Sequence, residues 1–405
     1  MTTQTKISKN GKQAADASPL LLHSLHLKNF LSFGPDTPEL MLGPLNLLIG
    51  ANGSGKSNLI EAISLLRSSP VSLGSTLRLG GGVQEWIWKG APEGIASVGA
   101  VVAGAQGPQP LRHIIEFTSE KQAFHLCDER IESEHPDPGK ELPFFFYKYQ
   151  EGRPVISVNG EQRGLKREAV EADQSILAQR KDPEQYPEIT HLGQQYDGIR
   201  TYREWAFGRN TVFRLPQRAD MRNDRLEEDF SNLGLFLNKM RRRPDAKNQM
   251  LQYLHDLYEG VDDFETIIEG GTVQVFFNEK NFSIPATRLS DGTLRYLCLL
   301  AILCDPNPPP LICIEEPELG LHPDILPKIA DLLVEASQRT QLIVTTHSDI
   351  LVDAMTERPE AVVVCEKHDG QTQMTRLSSD DLSVWTQKYR LGQLWMRGEL
   401  GGQRW

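Results

Sequence analysis

Gly50-Ala-Asn-Gly-Ser-Gly-Lys-Ser57 satisfies the G-x4-G-K-[ST] spacing of a phosphate-binding loop. Glycines at this spacing let backbone N–H groups wrap a polyphosphate, and a following helix adds its partial positive charge. The residues placed to hold a nucleotide are Asn52, Gly53, Ser54, Gly55, Lys56, Ser57 and Asn58. Lys56 would reach the β- and γ-phosphates, and the Ser57 hydroxyl would enter a Mg²⁺ shell. A second centre, Leu311-Ile-Cys-Ile-Glu315-Glu316, sets two carboxylates behind four apolar residues. Ligands in open α/β sheets bind at the C-terminal strand edge, so Glu315 is the metal candidate beside Ser57. Glu316 is the candidate base that polarises the attacking water. A solvated loop would also carry acids there, but two carboxylates followed by Pro317 and Glu318 are not ordinary surface.

Two further segments extend this set. Leu289-Ser290-Asp291-Gly292-Thr293 stands just before an apolar helix, where Ser290 can cap the helix and, with Gly292, turn its amides toward an anion. Thr345-Thr346-His347-Ser348 follows an apolar run and places His347 within reach of a γ-phosphate. Lys56, Glu316 and His347 are thus the expected catalytic residues, with ATP and Mg²⁺ as the expected cofactors.

The elements that must position these residues follow from periodicity. Leu45–Ile49 reads as a buried strand, part of a run from about Leu40 into the loop, and Leu59, Ile60, Ala62, Ile63, Leu65 and Leu66 recur at helical spacing. Leu20 to Phe33 alternates as a half-buried strand does. Between residues 70 and 160, short alternating runs (Val98 to Val102, His113 to Phe117, Phe144 to Tyr149, Val155 to Val158) predict antiparallel strands. Residues 161–200 are charged and poor in apolar residues, which predicts an insertion or lid. Helical spacing returns from Leu226 to Tyr258, and a strand pair follows at Thr272 to Phe277 and Asn281 to Ile284. The last third then alternates helix (Gly292 to Leu303), strand (Leu311 to Glu315), helix (Pro323 to Gln338) and strand (Gln341 to Thr345), as a parallel sheet requires.

The bulk properties of the 405 residues fit a large α/β body, with 39% hydrophobic and 24% charged residues. A net charge of -11 argues against indiscriminate nucleic-acid binding. The five cysteines form no C-x-x-C pair and read as buried thiols of a reducing compartment, not as zinc ligands. No apolar stretch approaches the ~20 residues that span a bilayer, so a cytoplasmic protein without a membrane partner is expected.

The ordered set Gly50–Ser57, Leu289–Thr293, Ile312–Glu318 with Leu321-His322-Pro323, and Thr345–Ser348 resembles the SMC/RecF-like branch of ABC ATPases. Within it, Glu-Glu-Pro-Glu-x2-Leu-His-Pro resembles the ATPase domain of the OLD (overcoming lysogenization defect) family and related stand-alone ATPases. Leu27-Lys-Asn-Phe30 and the terminal Leu391-Gly-Gln-Leu-Trp395 and Gly401-Gly-Gln-Arg-Trp405 resemble the same stand-alone proteins. The resemblance implies a P-loop NTPase fold of the ABC-ATPase head type, with a mixed sheet, an antiparallel β lobe, a RecA-like parallel sheet and a helical subdomain. It also implies a head-to-tail dimer with ATP between the phosphate loop of one copy and the Ser290 signature of the other. Glu315 stands where transporter-type ABC proteins have Asp, which lengthens the reach to Mg²⁺. Gln217 is the Q-loop candidate, with a plain surface loop as the alternative. The Toprim nuclease of OLD proteins is not expected, since the chain after His347 is short for it and Asp380-Asp381 is not D-x-D; no nuclease activity of its own follows. Arg130-x4-His135 superficially fits a ribonuclease motif, but Pro136-Asp-Pro138 forbids the helix that motif needs.

The expected organisation is a disordered tail over 1–19, a phosphate-loop and antiparallel lobe over 20–160, a helical or insertion subdomain over 161–270, and a C-terminal ATPase lobe over 271–405. Basic residues cluster between Arg200 and Arg243, including Arg203, Arg209, Arg214, Arg218, Arg222 and Arg225. They read either as a phosphate-tracking surface for DNA or as a face paired with Asp220, Asp224, Glu227, Glu228 and Asp229. Two functions are compatible with the site: DNA-responsive ATP hydrolysis in phage defence or DNA repair, and an ATP-gated scaffold that regulates a nuclease-type effector partner.

Overall fold

Leu45-Asn-Leu-Leu-Ile49 forms a strand that is buried at every position, and a strand apolar on both faces needs cover on both. The computed structural model shows how that cover is built. It describes residues 20–402 apart from 105–108, 151–152, 159–160, 166–170, 172 and 206–207. The tail expected over 1–19 and the terminal residues 403–405 lie outside the described residues.

The six-stranded central sheet runs in the order Arg200–Tyr202, Leu311–Glu315, Gln341–Thr345, Leu45–Ile49, Val362–His368, Gln371–Arg376. The first five strands are parallel and the last is antiparallel. Successive side chains on each strand face opposite cores. Leu45, Leu47 and Ile49 join one core and Leu48 the other, and Ile312 and Ile314 separate from Leu311 and Cys313 in the same way. The first core is closed by helices Leu233–Arg241, Pro244–Leu257, Asp291–Leu303 and Leu326–Ala336. The second is closed by helix Lys56–Ser68 and an eight-stranded antiparallel sheet. That sheet runs Leu40–Met41, Leu22–Lys28, Ala96–Val102, Leu111–Glu120, Ala123–Ser133, Phe145–Gln150, Arg153–Val158, Glu161–Gly164. A small antiparallel sheet of Gln217–Arg218, Asp263–Glu269, Thr272–Glu279 and Phe282–Pro285 supports the signature side.

The strand expected to run unbroken from Leu40 divides at Gly43-Pro44. Leu40–Met41 pairs with Leu22–Lys28, whereas Leu45–Ile49 enters the central sheet. Proline has no N–H to donate, so the chain changes sheets there. The described residues of 161–200 do not stand off as a lid. Glu161–Gly164 is the edge strand of the antiparallel sheet, and helix Pro187–Gly198 buries Ile189, Leu192 and Tyr196 in the second core. The apolar residues are few, but they share one face, which composition alone conceals.

That helix is tied to the sheet by a fully buried polar cluster. His113 Nε2 lies 3.2 Å from Glu129 Oε1, and His113 Nδ1 lies 3.2 Å from the Tyr196 hydroxyl. Ser175 Oγ and the Ile176 N–H both donate to the Glu129 carboxylate. The His113 and Glu129 side chains are 0% exposed, so neither can turn to water for a substitute partner. Glu129→Ala should therefore lower stability by about 3–5 kcal/mol in a urea titration, since it strands several buried donors at once. A loss below about 1 kcal/mol would mean that the cluster is not what holds the helix.

Candidate active site

The phosphate loop leaves strand Leu45–Ile49 and enters helix Lys56–Ser68. Two of its glycines are demanded by close approach. Gly50 has φ +146°, and a Cβ there would sit 2.2 Å from the Cys365 carbonyl oxygen. Gly55 has φ +104°, and its Cβ would sit 2.1 Å from Thr372 Oγ1. Both obstacles belong to the hairpin of Val362–His368 and Gln371–Arg376, which sequence periodicity had not revealed. The hairpin also braces the loop. The Thr372 hydroxyl donates to the Ser54 carbonyl at 2.9 Å and shares a 2.6 Å hydrogen bond with Ser32. Asn58 donates to Ser32 Oγ at 2.6 Å, so the structure places this side chain on the supporting scaffold. Asn52, Gly53 and Ser57 are exposed at the mouth of the loop, while Ser54 and Lys56 are buried. Lys56 Nζ donates to the carbonyls of Gly50 (2.8 Å) and Ala51 (3.1 Å). Burial holds its pKa below the usual lysine value, against the pull of nearby Glu316, Glu315 and Glu318.

The carboxylates and the histidine meet the loop at the same edge of the central sheet. Glu315 ends its strand, and Glu316 takes φ +46°, a left-handed conformation that a non-glycine residue holds only when its surroundings enforce it. The Glu316 N–H donates to the Thr345 carbonyl at 3.0 Å, Arg295 donates to the Glu316 carbonyl at 3.1 Å, and Trp205 Nε1 donates to the Glu315 carbonyl at 2.7 Å. This turn brings Glu316 Oε1 to 3.6 Å from His347 Nε2. Burial, then the charge of Lys56, lowers the His347 pKa against the opposing pull of Glu316 and Glu318. Glu318, to which the sequence assigned no role, holds the histidine loop: its Oε1 accepts from Thr346 Oγ1 (2.7 Å) and from the His347 N–H (2.8 Å).

The signature segment lies elsewhere on the chain's surface. Ser290 caps helix Asp291–Leu303 by accepting from the Thr293 N–H at 3.1 Å. Ser290 and Gly292 line a groove of about 820 Å³ with Gly320, Leu321 and His322, and no residue of the phosphate loop lines it. Arg214 anchors the segment, donating to the Leu289 carbonyl at 2.6 Å and pairing with Asp291. The Q-loop candidate is corrected. Gln217 is 5% exposed, donates to the Phe230 carbonyl (2.8 Å) and accepts from the Gly234 N–H (2.7 Å). It serves the start of helix Leu233–Arg241, and both ends of its amide are committed to that backbone. At the end of strand Arg200–Tyr202, beside Glu315, the chain instead carries Arg203.

The basic cluster resolves largely into ion pairs. Arg203 pairs with Glu61, Arg218 with Asp220, Arg222 with Asp224, Arg225 with Asp197, and Lys247 with Asp263. Arg200 is buried and donates to the Asp197 and Ile199 carbonyls. Of the carboxylates expected to neutralise this face, Asp220, Asp224 and Glu227 pair with its arginines, whereas Glu228 pairs with Arg67 outside the cluster. Arg130, from the superficial ribonuclease motif, lies within strand Ala123–Ser133 and pairs with Asp128 at 3.2 Å.

The residues present fit a magnesium nucleotide. Among the described residues, no group of three or more His, Cys, Asp and Glu could cage a metal by itself. A Mg²⁺ ion bound through substrate phosphates needs only one or two protein oxygens and takes the rest from phosphate and water. Glu315 Oε1 and Ser54 Oγ are buried with no hydrogen-bond partner among the described residues; Ser54 belongs to the loop, and Glu315 lies close enough to Lys56 to act on its pKa. Ser57 and Glu315 are the residues that would hold the ion.

The family described as "AAA domain, putative AbiEii toxin, Type IV TA system" matches residues 45–353, from the first strand of the loop to the helix after His347. The chain belongs to this AAA family. Two solved structures share its fold. One is an Smc head bound to the C-terminal winged-helix domain of ScpA, with TM-score 0.52 and 16% identity over 90% of this chain and 99% of that one. The other is an Smc head with an extended coiled coil bound to the C-terminal domain of ScpA from Pyrococcus furiosus, with TM-score 0.50 and 15% identity over 91% and 99%. This AAA domain therefore has the ABC-ATPase head fold, a P-loop ATPase architecture. No curated protein matches its sequence at a significant level. Among the described residues, no helix is long and apolar enough to cross a membrane.

Proposed function

We propose that the protein is an ATPase whose copies close head-to-tail on ATP and thereby hold or release a protein effector. The carrying observation is the separation of the two half-sites. The loop, Glu315, Glu316 and His347 share one sheet edge, whereas Ser290 and Gly292 line a groove that no loop residue enters. A γ-phosphate held by the loop of one copy can then be completed by the capped, exposed helix start of a second.

In this reading Lys56 and the loop amides orient the triphosphate. Glu316 accepts a hydrogen bond from the attacking water and takes its proton as the water oxygen joins the γ-phosphorus and the bond to ADP breaks. His347 sits beside Glu316, placed to contact the same phosphoryl group. Bound Mg²⁺ neutralises charge on the β- and γ-phosphates. The paired arginines between 200 and 243 favour the scaffold over a DNA-driven motor. The family description names a putative toxin of a type IV TA system, and the similar Smc heads were solved bound to ScpA domains, which supports a protein partner. A role in phage defence is consistent with that pairing.

Ser290→Arg tests the dimer. The variant should bind ATP like the wild type, yet show no ATP-induced doubling of mass in mass photometry. A wild-type doubling that survives the substitution would place the second half-site elsewhere.

A further inference from the structure

Glu315 carries one more methylene than the aspartate found at this position in transporter-type ABC proteins, and so one more torsion that must be fixed before the carboxylate can hold an ion. The fold supplies a fixing group. Arg203 leaves the end of strand Arg200–Tyr202, next to the Glu315 strand. Its Nε lies 3.4 Å from Glu315 Oε2, and its Nη1 lies 2.6 Å from Glu61 Oε1. Glu61 follows Ser57 by four residues in helix Lys56–Ser68, so the two occupy one helix face. Arg203 therefore spans from the helix face that carries Ser57 to the carboxylate opposite it. Glu315 Oε1 is left buried without a hydrogen-bond partner among the described residues. The strand bearing Arg203 is itself tied to the same helix: Glu228 Oε1 accepts from the Thr201 N–H and pairs with Arg67, each at 2.6 Å.

We infer that Arg203 is a positioning residue for the metal, clamping Glu315 by Oε2 and leaving Oε1 unpaired for the ion that Ser57 would share. This rests on the magnesium-nucleotide reading above and adds to it a residue that neither spacing nor motif identifies. The clamp works through Glu315, and Arg203 itself touches no metal. It also explains why this site tolerates a longer carboxylate: the added torsion is locked by a planar guanidinium whose far side is held by Glu61.

The test is Mn²⁺ binding read by electron paramagnetic resonance, with the protein saturated by a non-hydrolysable ATP analogue. Arg203→Gln should weaken Mn²⁺ binding by about ten-fold or more, the usual consequence of losing an outer partner of a metal ligand. Nucleotide binding measured in EDTA should stay at the wild-type level, which a merely structural loss would not allow. Glu61→Ala, which removes the second anchor and no metal ligand, should shift Mn²⁺ affinity in the same direction and serves if Arg203→Gln does not fold. Wild-type metal affinity in both variants would overturn the inference while leaving the ATPase reading intact. A wild type that binds neither nucleotide nor Mn²⁺ would overturn that reading, and the inference with it.

Discussion

Glu316→Gln should bind ATP as tightly as the wild type and turn it over about 10²–10⁴-fold more slowly, the range associated with loss of a positioned general base. The geometry isolates this effect. Glu316 holds φ +46° through backbone contacts to Thr345 and Arg295, which an isosteric amide leaves in place. Its side chain is 36% exposed and meets His347 at 3.6 Å, so no buried charge is stranded by the change. What is lost is the capacity to take a proton from water. Because hydrolysis is what opens the dimer in this account, the variant should also accumulate as an ATP-bound dimer, visible by mass photometry. Unchanged turnover would move the base to another residue; slow turnover without a trapped dimer would separate chemistry from assembly.

The second large effect is loss of nucleotide binding in Lys56→Ala. Lys56 is 6% exposed and sits at the centre of the loop, its ammonium already among the carbonyls of Gly50 and Ala51. A polyphosphate in the loop would otherwise meet backbone N–H groups alone while facing Glu315, Glu316 and Glu318. Removing this buried cation, which lies close to those carboxylates, should weaken ATP binding by at least about 100-fold, equivalent to some 3 kcal/mol for a charge-assisted hydrogen bond. Equilibrium titration with a fluorescent ATP analogue checks this. Binding within about two-fold of wild type, well under the worth of one such bond, would remove Lys56 from the phosphate site.

The fold class and the sheet edge that carries the candidate site were legible because their signals are local. Gly50–Ser57 gives itself away by spacing, and Leu311–Glu315 and Gln341–Thr345 by continuous apolarity, since strands covered on both faces need no alternation. What stayed hidden depends on pairing across the chain. Strand Ala123–Ser133 reads as polar because Glu129 and Glu132 are buried against partners supplied by other elements. The hairpin Val362–Arg376 brackets the loop from more than three hundred residues away, and only its contact with Gly50 and Gly55 shows why those positions exclude a side chain. Arg203 and Arg214 looked like members of one basic patch. Topology assigns the first to Glu61 and Glu315 and the second to the signature segment. Gln217 shows the converse error, a residue chosen for its type whose amide is spent on the backbone of a neighbouring helix.

The most direct test of the central claim is steady-state ATP hydrolysis by the wild-type protein as a function of its own concentration, with and without duplex DNA. A site completed by a second copy predicts that turnover per molecule rises with protein concentration until the dimer saturates, and that DNA leaves the curve unchanged. Turnover per molecule that is flat across the range, or that appears only with DNA, would contradict it.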